Sequence, residues 1–267
     1  MLKKSFIWLL VLCMALIVVP ITALAGESTD ASVIDSEQVV LPDGVDESAF
    51  GAYTVTDGAN FYTTLQAAVE AVAGTDGAIL YCKPDADVGS LQHAPVTKTL
   101  TVYGNGADVT GGAERDFDIG NTDPSGGKDI TSDMTLTVEN LDGCGAWGAK
   151  ATEYTVNLVF KNCQNMGKVF LTGTTGVLNI TMTDCAFEGV IAEAVYSNAN
   201  GAIELTRVAF SNLNKAINLN HKVAGEQTIA LTDCTFTNCG NDVSADQIPV
   251  RVLSSVEGGS SALTVSG

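Results

Sequence analysis

The chain has 267 residues, 31 acidic against 13 basic side chains, and a formal net charge of −18. A surface this acidic repels nucleic-acid phosphates and anionic lipid, which argues against both as partners, and it attracts cations. Its two histidines, His93 and His221, are too few for a multi-histidine metal centre, and no Gly-x-Ser-x-Gly elbow suggests a serine hydrolase.

Taken in chain order, MLKKSFIWLLVLCMALIVVPITALA (1–25) opens with Lys3 and Lys4, runs through an apolar stretch and ends in Ala23-Leu24-Ala25. These are the three regions of a secretory signal peptide, so the sequence predicts cleavage after Ala25 and an extracellular or cell-surface location. A retained anchor is the alternative, since residues 6–21 are nearly all apolar. Cleavage removes two lysines and no acid, leaving a mature charge of −20. Residues 26–51 carry seven acids and no Lys or Arg, and read as a flexible acidic leader. Nothing later is long and apolar enough to span a bilayer, so the mature chain is not expected to insert into a membrane.

TTLQAAVEAV (63–72) places Leu65, Ala68, Val69 and Val72 on one helical face, with Thr63 and Gln66 spaced as a capping box. GAILYCKPDADVG (77–89) and KTLTVYGNGADVT (98–110) read as strands with Leu80, Cys82, Leu100 and Val102 inward. The glycines of 104–112 follow a strand without opening a helix, which fits a turn better than a phosphate cradle. Residues 114–133 gather Asp116, Asp118, Asp123, Asp129 and Asp133 without the spacing of a helix-loop-helix calcium loop. They predict a solvated acidic excursion, compatible with weak Ca²⁺ binding; no other cofactor and no metal centre is expected.

From there the chain repeats. Leu136, Leu158, Ile180, Ile203 and Ile229 open similar segments at intervals of 22, 22, 23 and 26 residues. A period in that range marks a solenoid, and apolar alternation such as Ile180/Met182 and Ile229/Leu231 marks strands with one buried face. A polar corner follows each: Asn140, Asn162, Asp184, Arg207 and Asp233. Asn and Asp suit the left-handed backbone of a sharp bend, and Arg207 does not. Cys163, Cys185 and Cys234 share one repeat position, which favours buried free thiols over disulfides. The expectation is an all-β, right-handed parallel β-helix over 52–267, with coils of 22–26 residues and a short N-terminal capping helix. SALTVSG (261–267) begins another copy, so the sequence reads as continuing into a further C-terminal region.

YTTLQAAVEAV, GAILYCKPDADV and LTVYGNGADVTGG resemble the cap and first coils of pectate-lyase-like β-helix proteins. The DCxF and NCxxM corners resemble bacterial secreted β-helix repeat proteins of the adhesin-like group. The resemblance spans about 52–267 and implies the fold, while that fold hosts lyases, esterases, hydrolases, tailspikes and adhesins alike. The lyases' WIDH-type strand and paired-arginine signature are absent, so no catalytic residue carries over.

The first strand of each coil offers an outward row that is mainly threonine, as suits any strand. The second strand offers Tyr196, Asn198, Asn218, Asn220, His221, Lys222 and Arg251 from adjacent coils, with Glu193 as an acid. Aromatic, amide and basic groups together suit sugar hydroxyls and carboxylates, and Trp147 is a candidate stacking ring. The sequence therefore predicts a secreted or surface-displayed, non-catalytic module that is adhesin-like or contacts a polysaccharide or a host or cell-surface glycan. The alternative is a polysaccharide-active lyase or esterase on the same groove.

Overall fold

Alternation of apolar and polar residues dictates the architecture, because each strand has one face that water disfavours and only neighbouring coils to cover it. The computed structural model describes residues 39–110, 116–120, 130–148, 153–172, 176–189, 193–240 and 248–267. Residues 1–25, expected to be a signal peptide, together with residues 26–38, Asp123 and Asp129, lie outside them. A long sheet holds ten strands; its first two, Val55–Thr56 and Phe61–Tyr62, form an antiparallel hairpin. Beyond it every strand pairs in parallel with the same strand of the adjacent coil, from Ala78–Cys82 to Gly259–Ser266. A second, parallel sheet of seven strands runs from Ala94–Val96 to Val250–Ser254. A third stacks Ala186–Glu188, Ala209–Ser211 and Thr235–Thr237. The chain is a parallel β-helix.

Its register is the sequence repeat made physical: Leu100, Leu136, Leu158, Ile180, Ile203, Ile229 and Leu263 stand in line. Those from Leu136 to Ile203 are essentially unexposed, and each such side chain contributes about 1.5–3 kcal/mol of burial. Phe187, Phe210 and Phe236 stack with ring centroids 5.3 and 5.0 Å apart. The described cysteines are all free thiols; Cys82, Cys144, Cys163 and Cys185 are buried, and Cys234 and Cys239 are partly so. Burial pushes the Cys82 thiol up to about 12.

The polar corners adopt the left-handed backbone expected of them: Asn140, Asn162, Asp184 and Asp233 have φ of 53°, 52°, 55° and 53°. Arg207 takes the same turn, at φ 51°, and its guanidinium forks onto Asp184 of the preceding coil at 2.6 and 2.7 Å. The ion pair is what this corner gains from an arginine where the repeat otherwise uses a short amide or acid.

The helix, Leu65–Val72, buries the four predicted residues and lies against the hairpin and the strands 78–82 and 94–96 at the N-terminal end. Its N-cap is Thr64 and not Thr63: the Thr64 hydroxyl accepts from Ala67 N at 3.2 Å. Gln66 turns away from the cap, donating to Glu70 and accepting from Gln92 N. The leader also needs correction at its C-terminal part. Phe50 is fully buried and edge-on to Phe61, and Val40 exchanges two hydrogen bonds with the Asn105 amide. Acidic composition hid one anchoring aromatic ring. Nor is the aspartate excursion wholly solvated, because Asp116 and Asp118 are buried at the start of the strand Phe117–Ile119.

Candidate functional site

Short strands of the second sheet turn their middle residue to the outer side, since their first and third side chains point into the cylinder; in that outer row Asp118, Tyr196 and Asn218 are nonetheless buried by their neighbours. Parallel register then lines these middle residues up as Pro95, Asp118, Trp147, Phe170, Tyr196, Asn218 and Arg251. Within this row Trp147 stacks on Phe170 at 4.3 Å, and Phe170 on Tyr196 at 4.2 Å, both with 12° between planes. The Lys168 ammonium sits 4.4 Å from the Phe170 centroid and 5.4 Å from that of Trp147, flanking the stack with positive charge.

Polar groups close both ends of the stack. Towards Arg251, the Asn218 amide donates to Glu193 Oε1 at 2.8 Å, and Lys215 Nζ stands 3.7 Å from the same oxygen. Asn218 is 5% exposed and its Oδ1 has no hydrogen-bond partner. Burial and the Glu193 carboxylate push the Tyr196 phenol above its usual range, while hydrogen bonding to Asn220 and Asn198 opposes them. At the other end, His93 Nδ1 lies 3.4 Å from Asp118 Oδ2; the imidazole is 42% exposed and the carboxylate fully buried.

Of the residues singled out from sequence, Trp147, Tyr196, Asn218 and Arg251 thus share one row, with Glu193, Asn198 and Asn220 beside it. Lys222 is exposed past the strand end, its N–H donating to Asn198 O at 3.1 Å. His221 departs from the expectation: it is fully buried, on the inward side of its strand with Ile217 and Leu219. Strict alternation puts residues 217, 219 and 221 on one face, so the pattern itself held this answer. Sequence reasoning missed Phe170, Lys168, Lys215 and His93 here, and it placed Asp118 in a solvated acidic excursion instead. Phe170 was legible as the middle of Val169-Phe170-Leu171, the counterpart of Val195-Tyr196-Ser197. His93 and Asp118 carried no local signal, since 25 residues separate them.

Among the described residues, no group of three or more His, Cys, Asp or Glu side chains is placed to hold a metal ion. No family model, curated protein or solved structure matches the chain.

Proposed function

We propose that the chain is a secreted or surface-displayed, non-catalytic β-helix module that contacts carbohydrate along the outer row of its second sheet. The observation that carries this reading is the continuous stack of Trp147, Phe170 and Tyr196 leading into Asn218 and Arg251. Two inter-coil steps make an aromatic strip about 10 Å long. Both faces of Phe170 are spent on its neighbours, so the strip offers ring edges to the apolar side of a sugar chain. The amides of Asn198 and Asn220 and the Tyr196 phenol supply hydrogen-bonding groups for hydroxyls at its border. Nothing in this arrangement requires bond cleavage.

One observation favours a second reading, a polysaccharide-active enzyme: the half-exposed His93 faces the buried Asp118 carboxylate, the pairing that orients an imidazole for acid–base work. A single experiment separates the two. The purified protein is run in native gels cast with acidic or neutral polysaccharides, with and without Ca²⁺, and the polymer is sized afterwards. Retardation with intact polymer, weakened at least tenfold by Asn220→Ala with Arg251→Gln, is the expected result. Polymer shortening that His93→Gln abolishes would establish the enzyme instead. Neither retardation nor shortening would remove carbohydrate as the ligand class.

A further inference from the structure

The cylinder interior is apolar along most of its length, yet near its C-terminal end it encloses a polar corner. His221 is fully buried and Gln227 is 1% exposed. His221 Nε2 lies 2.8 Å from Asn200 Oδ1, while the Asn200 amide nitrogen donates to Ala224 O at 3.1 Å. With that amide oriented, Oδ1 is the acceptor, so Nε2 carries the imidazole hydrogen and Nδ1 is left as a bare lone pair. Nδ1 is buried and has no hydrogen-bond partner; neither has Gln227 Oε1, nor Ser261 Oγ on the neighbouring strand.

The coil of residues 254–266 encloses this nitrogen. Its turn, Ser254 to Gly259, crosses the histidine: Ser255 N and Ser255 Oγ both donate to His221 O, at 3.1 and 3.3 Å. Gly259 then enters the final strand beside the ring, where a Cβ would stand 3.3 Å from Nδ1 and collide with the Val256 side chain. A larger residue here would have to push aside the Val256 side chain for the turn to close over the imidazole. Nδ1 makes no hydrogen bond in the closed coil, so a proton arriving there creates a buried cation whose N–H has no partner in that geometry. The charged side chains on the surrounding elements, Lys222, Glu226 and Glu257, are all exposed to solvent.

We propose that the coil formed by residues 254–266 is latched shut by the neutral form of His221 and swings open on mild acidification, when Nδ1 takes up a proton and must reach water. Burial lowers the proton affinity of His221, in keeping with this geometry. The sign follows directly. A folded-state value below the unfolded one of about 6.5 leaves the closed coil at full stability above that pH. Stability is then lost as pH falls through the folded value. Opening would uncover the inward side chains of the strand beneath, Ile229 and Leu231.

Hydrogen exchange of the purified protein at about pH 7 and pH 5, corrected for intrinsic exchange rates, tests the latch. Protection of amides 254–266 is expected to fall about tenfold per pH unit across the window between the two values, while amides 156–160 and 178–182 keep theirs. His221→Gln, which retains a side-chain donor but cannot titrate, is expected to hold its protection at pH 5. Unchanged protection in the wild-type chain overturns the proposal, as does an equal loss in His221→Gln. Should that variant fail to fold, NMR titration of the wild-type imidazoles decides. A depressed His221 midpoint coinciding with shifts of the 254–266 amides supports the latch, and an ordinary midpoint without them overturns it.

Discussion

At Arg207 two effects of similar size compete. A left-handed backbone costs an ordinary side chain about 1–2 kcal/mol, and asparagine less. Its ion pair with Asp184 is half exposed, 53% and 41% at the two side chains, and such pairs contribute about 0–1 kcal/mol. The turn should win. Arg207→Asn is expected to leave stability unchanged or raise it by up to about 1 kcal/mol, read from the urea midpoint. A loss beyond about 1 kcal/mol would mean that the fork onto Asp184 dominates. Here the sequence was legible to the level of backbone conformation, since amides and acids recurring at one register position named the bend before any coordinate did. It was silent on Arg207 because its reason lies 23 residues away in another coil. His221 failed differently: a polar residue was assumed to face water, although its position in the alternation put it inside.

Elements differ in how they are held. The hairpin at the N-terminal end depends on Asp57, which accepts from Ala59 N, Asn60 N and the Tyr62 hydroxyl. Burial opposes ionisation of this carboxyl, but hydrogen bonds led by those from Asn60 outweigh it and hold Asp57 at about 2. Because the folded value is depressed, its contribution is present above about pH 4 and fades as pH falls through about 2. Amide protection over 54–62 should therefore decline in that window, and Asp57→Asn should already show the loss at neutral pH. If the variant matched wild type at neutral pH, the carboxylate would not be what closes the turn. The third sheet is held by packing. Phe210 is 1% exposed between two rings, so Phe210→Ala is expected to cost about 3–5 kcal/mol in chemical denaturation, whereas Phe236→Ala, partly exposed, costs less. Equal costs would show that the stack is not the source. These strands were readable as repeats, while the pairing of His93 with Asp118 was not, because it joins elements that share no motif.

For the whole molecule, a solenoid's stability is close to a sum over coils and their interfaces, so coils can open locally without global unfolding. That property would let the coil at residues 254–266 open on acidification, as proposed, while the stacked aromatic row stays closed. The row has an optical consequence. Tryptophan occurs twice in the chain, at Trp8 and Trp147, and Trp8 lies within the segment expected to be cleaved. After cleavage every photon of indole emission comes from the ring stacked on Phe170 and crowned by Lys168. The protein would carry a single built-in fluorophore, set in the face that its function is proposed to use. Occupancy of that face, acid opening elsewhere and loss of the stack would register as separable changes in intensity, wavelength and polarisation, without any label.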